Sequence, residues 1–174
     1  MSRTYPDEPA GEFPPPPRTI TDGEGRTVTI EVASEVDPED LVEMYRAFDP
    51  ADRAQGIPPI RETAIREWLE TILEAECVNV VATHEGSAVG HATLVPDDEG
   101  EHELAIFVLS SYQGAGIGTE LLRTLLGRGQ ELGIDRVWLT VERWNDPAIA
   151  VYEKAGFETC DSASFELEMA IRLG

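Results

Sequence analysis

The pattern of apolar and polar positions along this chain predicts most of its elements. Residues 27–32 (Thr-Val-Thr-Ile-Glu-Val) alternate and are rich in β-branched side chains, so they read as a strand. Asp37 followed by Pro38 is a helix start, a capping side chain ahead of a proline in the first turn, and that helix runs to about Phe48. After a loop through Pro58 and Pro59, Ile65, Trp68, Leu69, Ile72 and Leu73 recur at helical spacing as a core-facing stripe. Residues 79–83 and 89–95 form a hairpin across Glu85-Gly86-Ser87, followed by an acidic turn at 97–100. Residues 103–109 are mostly apolar, which predicts a strand buried on both faces. A helix spans 116–132 with Ile117, Leu121, Leu122, Leu125 and Leu126 inward, and 137–141 is a strand. Asp146-Pro147 repeats the cap-plus-proline start of a helix that ends near Gly156. Residues 157–160 and 165–170 close the sheet as an antiparallel pair. The order β-α-α-β-β-β-α-β-α-β-β describes one α/β (α+β) domain, a mixed sheet of six to seven strands with about four helices.

The chain has 174 residues, the size of a single core, and 41% of them are apolar. Residues 1–26 hold six prolines, including the run Pro14, Pro15, Pro16 and Pro17. Such a segment is expected to be a flexible or polyproline-like arm outside the core, leaving 27–174 as the folded domain. No apolar run approaches the ~20 residues that span a bilayer, and residues 1–18 lack the apolar stretch of a signal peptide. A cytoplasmic location follows. Cys77 and Cys160 lie far apart and read as small buried thiols, and His84, His91 and His102 are scattered, with no metal-ligand spacing.

Charge changes the picture more. Thirty-four acidic residues oppose 13 basic ones, for a net charge of −21, and Lys154 is the only lysine. Such a field repels nucleic acid and anionic membranes, which excludes both as partners. Two readings remain: an acidic surface that recruits a basic substrate, or a protein built for the salt-rich cytoplasm of a halophile. The acids are spread along the chain rather than clustered, which favours the second. At about 1 M salt the Debye length is only ~3 Å, and self-repulsion is screened.

The chemistry concentrates after the strand at 103–109. Gln113, Gly114, Ala115, Gly116, Ile117, Gly118 and Thr119 form a glycine-rich turn between that strand and a helix. Glycines let backbone N–H groups approach a phosphate, and the helix N-terminus adds partial positive charge. A nucleotide-binding Walker loop would end in Gly-Lys-Ser/Thr, whereas Gly118 is followed by Thr119 and Glu120. A dinucleotide fingerprint needs its third glycine one position later.

This loop resembles the Q/R-x-x-G-x-G/A pyrophosphate loop of the GNAT acetyltransferases. Asn145, Ala148, Tyr152, Gly156 and Phe157 are similar to that family's N-x-x-A-x-x-x-Y-x-x-x-G-F pattern, at the spacing the family uses. The resemblance covers about 27–170 and is sharp from 103 to 157. It implies acetyl-CoA as acyl donor, with main-chain groups of Ile106, Phe107 and Val108 along the pantetheine arm. It also implies residues 113–119 on the pyrophosphate, Asn145 near the thioester or pantetheine and Tyr152 beside the sulfur. The implied reaction is direct attack of an amine on the thioester in a ternary complex. A lysine-like amine with pKa ~10.4 must lose a proton, the oxyanion needs a donor, expected at the Val108 N–H, and the thiolate needs an acid. Tyr152 is the candidate acid. Glu103 is the candidate base, since some protein-lysine acetyltransferases of the family carry a glutamate at that strand position. Asp49, Asp52 and Arg53, in the loop between the first two helices, are candidate acceptor contacts. The acceptor stays open between a protein lysine and a small-molecule amine. Two other readings remain: a non-catalytic acyl-CoA sensor, and a homodimer built on strand 165–170 as a sheet edge.

Overall fold

The computed structural model describes residues 3–49, 58–163 and 165–174. Eight strands form one mixed sheet: β1 (Arg18–Thr21), β2 (Thr27–Val32), β3 (Val78–His84), β4 (Ser87–Pro96), β5 (His102–Val108), β6 (Arg136–Glu142), β7 (Glu158–Ser162) and β8 (Glu166–Arg172). Their spatial order is β1-β2-β3-β4-β5-β6-β8-β7, antiparallel except for β5 and β6. Four helices flank the sheet: α1 (Pro38–Arg46), α2 (Glu62–Ile72), α3 (Ile117–Glu131) and α4 (Asp146–Ala155). No helix among the described residues is long and apolar enough to cross a membrane.

Local chemistry explains the element boundaries. Asp37 accepts from the Glu39 N–H and caps α1, with Pro38 in its first turn. The start of α4 differs from expectation. Asn145 is its cap, accepting from the Ala148 N–H, because Asp146 already has helical geometry. Glu85 and Gly86 both have positive φ (52° and 83°), as a two-residue turn between β3 and β4 requires.

Two cores lie on opposite faces. On one, α3 and α4 cover an apolar layer that includes Val80, Leu94, Leu104, Leu121, Leu125, Leu139 and Met169. On the other, α1 and α2 close over Leu41, Tyr45, Ile65, Leu69 and Val81. A polar chain runs through this second layer. The Tyr45 hydroxyl bonds His91 Nδ1 at 2.6 Å, His91 Nε2 meets Asn79 Oδ1 at 2.7 Å, and Asn79 Nδ2 donates to Ile72 O. Asn79 spends its donor on Ile72, so His91 carries its proton on Nε2 and accepts from Tyr45. Burial pushes His91 down to about 3, so it stays neutral in the fold. An unfolded histidine binds a proton below about pH 6.5, so stability held above that pH is lost as pH falls towards 3. Between pH 7 and pH 5 the stability advantage of the wild type over His91→Gln should shrink by about 2 kcal/mol in urea unfolding. An unchanged difference would contradict a neutral buried ring.

Three expectations need correction. Residues of the expected N-terminal arm lie on the domain. Arg18–Thr21 pairs with β2 and adds an eighth strand. Phe13 packs on the core and donates from its N–H to Gln130 Oε1, while Gly127 leaves α3 bare where Pro14 crosses it. Strand 165–170 is not an edge, since β8 pairs with β6 on one side and β7 on the other. Cys77 and Cys160 are partly exposed rather than buried.

Candidate functional site

The site begins where two strands part. β5 and β6 run parallel, but only His102 and Glu103 are paired, opposite Val137 and Trp138. Beyond them β6 follows β8 and β5 follows β4, and a gap opens between them. This gap corrects a fourth expectation. β5 is half-exposed from Ala105 to Val108 rather than buried on both faces, because one flank has no neighbouring strand.

Hydrogen-bond parity decides which main-chain groups face the gap. The Leu109 N–H donates to Val89 O, so the alternate residues Leu104, Ile106 and Val108 turn their N–H and C=O away from β4. Of these, Val108 O is taken by the Gln113 side chain, which donates to it at 3.0 Å. The Ile106 and Val108 N–H groups are left as donors along the gap, whereas Phe107 spends its main chain on β4.

At the open end of β5 stands the glycine loop. Gly114 and Gly116 have φ of 73° and 88°, and a Cβ on either would meet nothing within 4 Å. Gly116 is the N-cap of α3, and Ile117 and Gly118 begin the helix. Among the first N–H groups of α3, that of Glu120 reaches Gly116 O, leaving those before it to point out of the helix end. Backbone donors, a helix N-terminus and space free of side chains suit a pyrophosphate.

Side chains sort onto the two faces by alternation. Leu104, Ile106 and Val108 of β5, with Val137, Leu139 and Val141 of β6, face α3 and α4. Tyr152 of α4 lies on that side, its ring 5.8 Å from that of Phe157. Burial raises Tyr152 to about 12, and its hydroxyl has no hydrogen bond among the described residues. Asn145, at the start of α4, uses its Oδ1 as the cap.

The opposite face carries Glu103 and Phe107 of β5 with Trp138, Thr140 and Glu142 of β6. Phe107 closes an aromatic group with Tyr45, Phe48 and Trp68, its ring 5.5 Å from Trp68 and 5.7 Å from Tyr45. Glu103 is exposed to solvent, yet its carboxyl lies above the usual range. Partial desolvation is the largest cause; Arg3 opposes it, and Asp97, Glu168 and Glu166 add to it. Arg3 lies over the Trp138 ring at 3.5 Å and pairs with Glu168 and Glu101. Glu103 stands five residues before Val108, or about 16 Å of extended strand.

One residue of this face escaped the sequence reading. Glu103 is paired with Trp138, so equal steps along the strands bring Glu142 level with Phe107 across the gap. Its Oε2 accepts from Trp144 Nε1 at 2.9 Å. The signal was the alternation of β6, which means nothing until the parallel register is known. Of the loop candidates, Asp49 is exposed after α1, and Asp52 and Arg53 lie outside the described residues.

A parted pair of parallel strands, a glycine loop at its mouth and a tyrosine-bearing helix behind it define the class. Residues 39–157 match the acetyltransferase (GNAT) family, and the chain belongs to that family. An uncharacterized N-acetyltransferase of Mycobacterium tuberculosis is 34% identical over 89 residues, 51% of this chain and 57% of that protein. The chain therefore aligns with just over half of that relative's length. Among solved structures, the GNAT domain of S. lividans PAT has the same fold, with a TM-score of 0.77 at 19% identity over 90% of this chain and 97% of that one. The structure of yncA from Salmonella typhimurium, which holds its cofactor acetyl-CoA, matches with a TM-score of 0.65 at 18% identity over 84% and 94% of the two chains.

Proposed function

We propose that this protein transfers an acetyl group from acetyl-CoA to a primary amine. The observation that carries the reading is the gap between β5 and β6, lined by the Ile106 and Val108 N–H groups and leading to the glycine loop. Residues 113–119 take the pyrophosphate through backbone N–H groups and the dipole of α3 rather than through a side chain. With the phosphates at the loop, the acyl end lies deeper along β5. Val108 then serves the pantetheine, and the Ile106 N–H, one donor further in, takes the thioester carbonyl as it gains charge. This moves the oxyanion donor one position inward from the sequence expectation.

The amine approaches on the face of α1 and α2, where Glu103 and Glu142 lie. Its nitrogen bonds to the carbonyl carbon, the C–S bond breaks, one ammonium proton goes to a carboxylate and the thiolate takes another. Glu142, level with Phe107, is proposed as the direct base, and Glu103, about three residues or ~10 Å of strand from Ile106, acts through water. Tyr152, held protonated by burial, donates a hydrogen bond to the sulfur. A phenol near 12 gives its proton outright to a thiolate of pKa ~8.5 only at a cost, so the ammonium is the better final source. Asn145 keeps its Nδ2 for the pantetheine, since its Oδ1 is used by the helix.

The carboxylates of this face suit a cationic amine, which a protein lysine and a small-molecule amine both supply. A salt-rich cytoplasm suits the net charge of −21, which disfavours nucleic acid and anionic membranes as partners. The test is calorimetric titration of acetyl-CoA at rising KCl, followed by assay of CoA release with lysine peptides and free amines. Acetyl-CoA is anionic, so its affinity should rise severalfold from low to molar KCl as repulsion is screened. Affinity that falls steadily with salt in folded protein would refute the electrostatic part. Saturable binding without release to any amine would favour the sensor.

A further inference from the structure

We propose that the hairpin of β1 and β2 positions acetyl-CoA, by orienting a peptide of the glycine loop and by cancelling a carboxylate on the phosphate-facing helix. The proposal rests on the cofactor reading above. The hairpin precedes residues 39–157, so it lies outside the part of the chain matched to the family. Three of its residues reach the loop and α3.

Gly23 donates its N–H to Ala115 O at 2.8 Å, and a Cβ on Gly23 would stand only 3.4 Å from that oxygen. The peptide between Ala115 and Gly116 is planar and trans, so its C=O and N–H point in opposite directions. Holding the carbonyl towards the hairpin therefore turns the Gly116 N–H away from it, towards the open side of the loop. Arg26 secures the other end. Its Nε donates to the buried Asp22 carboxylate at 2.7 Å, one terminal nitrogen donates to Ser111 O, and the guanidinium lies 4.1 Å over the Tyr112 ring. Asp22 in turn accepts from the Glu24 and Arg26 N–H groups, which fixes the turn.

Arg18 supplies the charge. Glu120 lies in the first turn of α3, and its side chain leans back towards the helix N-terminus, where the anion is to bind. An uncompensated carboxylate there repels the pyrophosphate. Arg18 donates to Glu120 Oε1 at 2.9 Å and to Thr124 Oγ1 at 3.1 Å, and both members of the ion pair are largely shielded from solvent. Arg123 adds a longer contact of 3.4 Å from a more exposed position. These are positioning residues, since none of them touches the reacting atoms.

The test compares wild type, Arg18→Ala, Arg18→Gln, Glu120→Gln and the Arg18→Ala/Glu120→Gln pair. Acetyl-CoA Kd, KM and kcat are measured at about 0.2 M and 2 M KCl, with melting curves to confirm folding. Arg18→Ala and Arg18→Gln should raise Kd and KM about fivefold at the lower salt and less than twofold at the higher, with kcat unchanged. Glu120→Gln should restore the double variant to within about twofold of wild type, because the charge to be cancelled is gone. Wild-type affinity in both Arg18 variants overturns the proposal. So does weakening that is equal at both salts and not rescued by Glu120→Gln, which would make the hairpin a structural support alone. No acetyl-CoA binding by wild type would instead defeat the cofactor reading, and this proposal with it.

Discussion

Replacing Gly116 with glutamate should weaken acetyl-CoA binding at least ~100-fold, a loss of about 2.7 kcal/mol, and leave no saturable signal in calorimetry. Two effects combine. Gly116 has φ of 88°, a region that costs an L-residue roughly 1–2 kcal/mol, so any side chain strains the cap of α3. The larger effect is electrostatic. A Cβ here meets nothing within 4 Å, so the new carboxylate projects into the space proposed for the pyrophosphate. Two like charges about 5 Å apart at an effective dielectric near 20 repel by roughly 3 kcal/mol. Gly116→Ala separates the terms, since it carries the strain without the charge, and should cost no more than about tenfold. Folded Gly116→Glu that binds within a few-fold of wild type would place the cofactor elsewhere.

The second large effect belongs to the carboxylates of the proposed amine-binding face. Glu142→Gln should lower kcat by about 100-fold at pH 7 with little change in acetyl-CoA KM, the range expected for loss of a general base. Glu103→Gln, a water-mediated partner in this proposal, should cost about tenfold or less. The pH dependence carries the diagnosis. An acceptor amine with pKa near 10.4 sheds its own proton as pH rises, so the Glu142→Gln deficit should narrow towards pH 10. A deficit constant across pH would point to a positioning role. A larger loss in Glu103→Gln than in Glu142→Gln would return the base to β5.

How much of this could be read from the sequence depended on how local the physics was. Asp37 with Pro38, the stripe of Ile65, Leu69 and Ile72, and the spacing of Gly114, Gly116 and Gly118 are local signals, and each landed on its element. What was missed came from partners distant in the chain. Arg18–Thr21 is a strand only because β2 offers it an edge, and its four residues after a proline run carry little pattern of their own. The apolar run at 103–109 promised a strand buried on both faces, and the parting of β5 from β6 left it half-exposed. The interior place of β8 is a matter of strand order, to which alternation is blind. Glu142 looked like any polar residue on a strand until the parallel pairing of Glu103 with Trp138 was known.

The sheet also works as a partition. α3, α4 and the glycine loop lie behind it, while α1, α2 and the carboxylates of β5 and β6 lie in front, with the gap as the only proposed passage. Under the proposed function, substitutions in front should retune which amine is accepted without disturbing the phosphate cradle, and changes behind should alter donor affinity without re-educating the acceptor side. Donor and acceptor recognition would thus be separate mutational compartments within one small domain.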